Sequence, residues 1–178
     1  LLLWLLVLTL FILIFLLRTK KQPTKYIILT LVFQQIIIVG FFIFLIKTSN
    51  PFNYLFPIPE EGLGLNPILQ DPALAIHPPI LYLGYVGSSI IFSSVLAATS
   101  LKMISTTWAV HIKNWILISW IFLTLGILLG SIWAYYELGW GGFWFWDPVE
   151  NVSLMPWLAL TTLLHCILVL EKKSILTS

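Results

Sequence analysis

Residues Trp115 to Trp157 read WILISWIFLTLGILLGSIWAYYELGWGGFWFWDPVENVSLMPW, an apolar run that leads into a segment rich in tryptophan and glycine. The apolar part, Trp115–Tyr135, has the length that a helix needs to cross a bilayer. Tryptophan is common at membrane interfaces, whereas glycines between tryptophans let a flat ligand approach the backbone closely. We therefore expect a membrane helix followed by a surface for a large planar ligand, with heme as the obvious candidate.

The composition of the whole chain supports a membrane protein. The 178 residues are 60% hydrophobic and 9% charged, and the mean hydropathy is +1.01, which together exclude an ordinary soluble domain. The single cysteine, Cys166, lies in an apolar run, so the chain alone can build neither a disulfide framework nor a thiolate metal cluster. We expect the lipid bilayer, and no nucleic acid, as a partner.

Five apolar runs of about twenty residues predict an all-α, polytopic transmembrane bundle with about five spanning helices. In the second run, Gln34 and Gln35 are expected to form hydrogen bonds between helices. The chain begins within an apolar run and without methionine, which favours a portion of a longer polypeptide over a cleaved signal peptide. The runs lie at Leu1–Leu17, Tyr26–Ile46, Pro79–Thr99, Trp115–Tyr135 and Val152–Leu170.

The charged residues divide between the two sides of the predicted bundle. Eight of the nine Lys and Arg residues fall in the connections 18–25 and 100–114 and after the last run, while six of the seven acids fall in the connections 47–78 and 137–151. By the positive-inside rule the basic connections face the cytoplasm or matrix, and the tryptophan-rich connection faces outward. The expected units are residues 1–62 with two helices, 63–173 with the planar-ligand surface and three helices, and an inner tail, 174–178.

The three histidines are expected at different depths. His77, followed by two prolines, is predicted in extended backbone at the outer mouth of the third span, whereas His165 lies within the last span near its inner end. The two are too far apart to ligate one iron, so each could serve a separate heme. The alternatives are a plain loop residue for His77 and a hydrogen-bonded interhelical residue for His165. His111 is expected in an inner loop, facing solvent or lipid headgroups.

Two carboxylates, Asp147 and Glu150, flank Pro148 where the chain re-enters the membrane. Acids at this position favour a helix N-terminus, so helix capping is one interpretation. The alternative is pairing with the polar edge of a heme or with a basic partner. Nothing in the sequence indicates a nucleophile or a general base, so no catalytic residue is predicted.

The segment from Trp140 to Asn151, WGGFWFWDPVEN, resembles the tryptophan-rich WWD motif of heme-handling membrane proteins. The DPVEN ending is similar to the CcmF family, the heme lyase subunits of cytochrome c maturation, rather than to the related CcmC and CcsA families. Three further stretches resemble the same family in order and spacing. They are LNPILQDPALAIHPPILYLGYVG (65–87), WIFLTLGILLGSIWAYYELG (120–139) and LHCILVLEK (164–172).

The resemblance implies two hemes and a set of residues that bind them. His77 matches an outer axial ligand of a transient heme at the WWD surface, and His165 matches a ligand of a transmembrane heme b. Trp140, Trp144 and Trp146, together with Asp147, match the heme-contacting core of the motif. The implied partners are a CcmE-like heme chaperone, a CcmH-like thiol reductase and apocytochrome c.

This chain departs from the family pattern in two respects. Phe143 stands where the family commonly has tryptophan, and the chain is much shorter than the family protein. The second outer histidine and the second transmembrane histidine would therefore come from companion CcmF-like chains. A split mitochondrial gene, of which this is the N-terminal portion, would explain the length and favours the mitochondrial inner membrane. The bacterial plasma membrane is the alternative.

Two functions follow from the resemblance. The first is a subunit of the cytochrome c heme lyase, incomplete alone, that presents heme at the outer face for thioether attachment to apocytochrome c. The alternative is a structural subunit of a mitochondrial respiratory complex that retains the family sequence without lyase activity.

Overall fold

The structure, a computed structural model, describes residues 1–54, 56–62, 64–140 and 142–173. Those residues form helices and irregular segments without a β-strand, which confirms the predicted all-α class. The inner tail, 174–178, lies outside the described residues. The helices are α1 (Leu2–Arg18), α2 (Thr24–Thr48), α3 (Pro72–Tyr85), α4 (Ser88–Ser100), α5 (Thr106–Glu137) and α6 (Pro148–Lys173), and a short 3-10 helix (Pro67–Leu69) precedes α3.

The apolar helices make this a multi-pass membrane protein. Four segments are long and apolar enough to cross a membrane: α2, the pair α3 and α4 taken together, α5 and α6. Helix α1 has 17 residues, which at 1.5 Å per residue is about 26 Å, slightly less than the bilayer core. The predicted third span is a broken helix, because α3 ends at Tyr85 and α4 begins at Ser88.

Helix α3 begins earlier than the sequence indicated. Asp71 caps it, since its Oδ1 accepts a hydrogen bond from the Ala73 N–H at 2.7 Å, and Pro72 occupies the first helical position, which tolerates proline. The prediction of extended backbone at His77 was therefore wrong, because Pro78 and Pro79 lie inside the helix. Packing of α3 along α5 outweighs the local preference of a residue before proline.

Helix α5 also begins earlier than predicted, and this moves His111 from a loop into a helix. The Ser105 side chain caps α5 by accepting a hydrogen bond from the Trp108 N–H at 3.3 Å. The His111 ring lies beside the rings of Phe15 and Tyr26. Its Nε2 is buried without a hydrogen-bond partner among the described residues, so the expectation of a solvated side chain was wrong.

Helices α3 and α5 pack with their backbones in close approach because glycines line the contact. A Cβ added at Gly126 would lie 2.5 Å from the Leu81 Cα, and one added at Gly84 would overlap the backbone of Leu123. Small residues allow this approach in membranes, where packing and interhelical hydrogen bonds hold helices together. The contact fixes the height and rotation of α3 relative to α5, and hence the position of His77.

A polar cluster joins α2 to α4. The Gln34 amide donates a hydrogen bond to Ser89 Oγ at 2.8 Å and accepts one from Ser93 Oγ at 2.9 Å. The Tyr26 hydroxyl bonds with Ser94 in the same interface. The interhelical role predicted for Gln34 is confirmed. Gln35, by contrast, is exposed on the outer surface of α2, so the same prediction was wrong for it.

Candidate functional site

The His77 imidazole is held between α3 and α5 by contacts on two sides. Its Nδ1 lies 2.8 Å from the carbonyl oxygen of Gly126. Because a carbonyl can only accept, this Nδ1 carries the proton of the neutral ring, which leaves the Nε2 lone pair for a metal ion. On its other side the ring lies against Gly130, where an added Cβ would be 2.5 Å from His77 Cε1.

A small cleft opens beside this imidazole at the end of the bundle that carries the tryptophan-rich segment, called the outer end below. His77 lines it together with Trp140, Trp144 and Asp147. The cavity volume is about 80 Å³, enough for only a few water molecules. A large planar ligand therefore has to lie at the mouth of the cleft rather than inside it.

The mouth of the cleft is surrounded by exposed aromatic rings. Trp146 does not line the cleft, and 67% of its surface is exposed. Its ring meets that of Trp144 edge to face, with centroids 5.7 Å apart. Phe143, which replaces the family's tryptophan, stacks on Tyr135 at 4.5 Å. These rings offer flat apolar faces on the outer end, which suits a planar ligand.

The two carboxylates form a reciprocal cap at the start of α6. Asp147 Oδ1 accepts a hydrogen bond from the Glu150 N–H at 2.6 Å, and Glu150 Oε2 accepts from the N–H groups of Phe145 at 2.8 Å and Asp147 at 3.2 Å. This is the geometry of a capping box, which satisfies amide groups that a helix start leaves free. The capping interpretation of Asp147 and Glu150 therefore fits the structure, while Asp147 also lines the cleft.

His165 lies in a different environment, toward the other end of α6. Its Nδ1 is 2.8 Å from the carbonyl oxygen of Thr161 on the same helix, and the residue is exposed. It follows Asp147 by 18 residues, which corresponds to about 27 Å along the helix. The structure thus gathers His77, Trp140, Trp144 and Asp147 at the outer end and leaves His165 apart.

Both histidines present the same chemistry despite this separation. In each, the carbonyl fixes the tautomer and leaves Nε2 as the available nitrogen, a common arrangement for a metal-bound histidine. Among the described residues, no group of three or more His, Cys, Asp or Glu side chains could hold a metal ion. The donor set therefore suits axial ligation of a heme iron, one imidazole to each heme face.

Several residues that build the site were not recognised from the sequence. Gly126 and Gly130 are four residues apart, the spacing of small residues at close helix contacts, and this spacing was the available signal. Trp133 also lines the cleft, and its Nε1 is buried without a hydrogen-bond partner among the described residues.

A second group that the sequence did not reveal joins α5 to α6. The Trp120 indole donates to Thr161 Oγ1 and the Trp157 indole donates to Thr124 Oγ1, both at 2.8 Å. The two indole rings stack with centroids 6.0 Å apart. This Trp–Thr clamp ties the helix that supports His77 to the helix that carries His165.

Comparison with known proteins relates the whole chain to a single family. Residues 1–178 match the family described as cytochrome C assembly protein. The chain is 54% identical over 175 residues to the cytochrome c-type biogenesis protein CycK of Rhizobium meliloti, covering 98% of this chain and 26% of that protein. It is 50% identical over 157 residues to CcmF of Escherichia coli, covering 88% and 24%.

A solved structure gives the same relation. The cytochrome c heme lyase CcmF superposes with a TM-score of 0.77 at 34% sequence identity, covering 98% of this chain and 27% of that chain. The chain therefore spans about a quarter of the length of the relatives that it matches.

Proposed function

The chain belongs to the cytochrome c assembly protein family, and from this premise we propose that it is a CcmF-type subunit of a cytochrome c heme lyase. It presents heme at the outer membrane face for thioether attachment to apocytochrome c. The observation that carries the proposal is the His77 imidazole, which is fixed by Gly126 with Nε2 left available beside Trp140 and Trp144.

In the proposed outer site each residue has a distinct task. His77 supplies one axial nitrogen to the iron, and the carbonyl of Gly126 holds the ring in the tautomer that allows this. Trp140, Trp144 and Trp146 provide apolar faces for the porphyrin. Asp147 fixes the end of the aromatic segment to α6 through the cap. The bound heme is the substrate and supplies the carbons that form bonds with the cysteine sulfurs of apocytochrome c.

The proposed inner site uses His165 as one ligand of a heme b. The exposed face of α6 leaves room for another helix to approach this histidine. Since the chain spans about a quarter of its relatives' length, companion CcmF-like chains supply the second ligand of each heme. No side chain here is assigned as nucleophile or base, because orientation of heme and control of its iron are what a protein contributes to this chemistry.

The remaining partners follow from the same proposal. They are a CcmE-like heme chaperone, a CcmH-like thiol reductase and apocytochrome c, which meet the outer end of the bundle. The mitochondrial inner membrane is the proposed location. The relatives named above are bacterial, so a bacterial plasma membrane is the alternative that fractionation of the source cells would establish.

Separate replacement of the two histidines in the assembled complex tests the proposal. His77→Ala should remove the spectrum of the outer heme and retain that of heme b, and His165→Ala should do the reverse. His111→Gln is the matched control, since His111 is a third helical histidine without an assigned ligand role. Unchanged heme spectra in both alanine variants would contradict the assignment and favour a structural subunit.

A further inference from the structure

A second cavity lies at the opposite end of the bundle from the tryptophan-rich segment and is unconnected with the heme ligands. It is a groove of about 390 Å³ between α1 and α5, and it is called the inner groove below. Its walls are apolar, with Phe11 and Ile14 on one side and Trp115, Ile118 and Phe122 on the other. Arg18 and Asn114 lie at its expected inner end.

The length of the inner groove matches one leaflet of the membrane. Its lining on α5 extends from Val110 to Phe122, 12 residues that rise about 18 Å along the helix. Half of the hydrocarbon core measures about 15 Å. A groove that begins near the inner interface and continues for this distance reaches the bilayer centre, as a lipid acyl chain does.

The polar end of the inner groove offers hydrogen-bond donors for an anionic group. Arg18 ends α1 and is exposed, and the structure records no ion pair between it and any described residue. The neighbouring cation Lys113 is different, because its Nζ is 2.8 Å from a Glu171 carboxylate oxygen. Arg18 is therefore the lining cation that remains available, and a guanidinium binds phosphate oxygens with directed hydrogen bonds.

The surrounding charge favours an anionic headgroup over a zwitterionic one. Lys20, Lys21 and Lys25 follow Arg18 in the connection to α2 and at its start. Basic pockets between helices on this side of a membrane attract anionic lipids, with about 1 kcal/mol for each Lys or Arg near the surface. Apolar walls of one-leaflet length and a cationic end together match one kind of molecule.

We propose that the inner groove binds an anionic phospholipid, with an acyl chain against Phe11, Ile118 and Phe122 and its phosphate at Arg18 and Asn114. The site joins α1 to α5, whose other end supports His77. A bound lipid would thus help to hold the short helix α1 in the bundle without taking part in heme chemistry.

Native mass spectrometry of the complete complex that contains this chain tests the proposal. Phosphatidylglycerol and phosphatidylcholine with the same acyl chains are titrated separately. We expect phosphatidylglycerol to bind more tightly, and Arg18→Gln to weaken its binding by at least about fivefold. Lys20→Gln is the matched control, because it removes a cation from the same connection without altering the lining of the groove, and it should bind as the parent does.

A second variant tests the apolar wall without changing charge. Ile118→Trp fills the groove and should lower the binding of both lipids, while Arg18→Lys should retain most of the preference for phosphatidylglycerol. Equal binding of the two lipids to the parent, or equal losses in Arg18→Gln and Lys20→Gln, would overturn the proposal. Competition by glycerophosphate as effective as that by phosphatidylglycerol would also overturn it, because the groove would then contribute nothing.

Discussion

His77 and His165 make the same hydrogen bond but differ in what surrounds them. Each has Nδ1 2.8 Å from a backbone carbonyl oxygen. The carbonyl that holds His77 belongs to another helix, and the ring lies against Gly130. The carbonyl that holds His165 belongs to its own helix, and the ring is exposed. The chain therefore fixes the first imidazole itself, whereas the second depends on whatever covers α6.

The difference follows from the position of α5 in the bundle. Gly126 and Gly130 on this helix receive α3 and the His77 ring, and the same helix ends at Glu137, directly before the tryptophan-rich segment. Gly139, with a φ of +64°, turns the chain away from the helix end. One rigid element thus fixes both the imidazole and the start of the aromatic surface, which is the arrangement a preorganised ligand site requires.

The largest effect should come from a methyl group added between α5 and His77. Gly130→Ala would place a Cβ 2.5 Å from His77 Cε1, so the ring must move away from the Gly126 carbonyl. We expect heme affinity at the outer site to fall by at least about tenfold, the usual result when the support of a metal-bound histidine is lost. Heme b at His165 should be unchanged, and heme titration with optical spectra measures both.

Gly40→Ala is the control for this variant, because an added Cβ at Gly40 meets no atom within 4 Å. It should alter neither heme. Equal loss at the two sites in Gly130→Ala would show that the His77 support is not local, and an unaffected outer site would remove Gly130 from the description of that site.

The sequence predicted the elements of this fold better than their contacts. Apolar length alone located all the spans, and the Asp71-Pro72 pair correctly indicated a possible helix start. The packed faces could not be predicted, because membrane helices are apolar on all sides and hydrophobic periodicity does not distinguish a packed face from a lipid-facing one. Gln34 and Gln35 illustrate this, since only the structure shows which of the two is buried.

For the candidate site, the resemblance named residues and the structure supplied their relations. His77 was assigned extended backbone from the prolines that follow it, because the local rule contains no information about the packing of α3 on α5. The glycine spacing at Gly126 and Gly130 was visible, but its meaning depends on which helix lies opposite. Contacts between residues far apart in the chain, such as His77 with Gly126, are set by tertiary packing.

A smaller effect should distinguish the two interpretations of Asp147. Asp147→Ala removes the acceptor of the Glu150 N–H, which should lower the free energy of unfolding by about 1 kcal/mol. Asp147→Asn keeps a capping oxygen without the charge and should restore most of that stability. Denaturant unfolding of the complex in detergent measures both. If the asparagine variant restores stability but not outer heme binding, the carboxylate charge has a role beyond the cap.

The smallest effect concerns the Trp–Thr clamp, which lies between the two histidines along α6. Thr161→Val keeps the volume of the side chain but deprives the Trp120 indole of its acceptor. Hydrogen bonds between membrane helices contribute about 0.6 kcal/mol on average, so we expect a loss of that order in the free energy of unfolding. The carbonyl that holds His165 belongs to the backbone of Thr161 and is retained, so heme b should be unchanged.

Thr162→Val is the matched control for the clamp, because this neighbouring hydroxyl is exposed and bonds only within its own helix, to the Leu158 carbonyl. It should leave stability nearly unaltered. Equal losses in the two variants would show that the clamp contributes nothing specific. If Thr161→Val instead removes heme b while Thr162→Val does not, then α5 supports His165 through the clamp. In that case the inner histidine would be fixed by this chain after all, and the contrast with His77 would be one of degree.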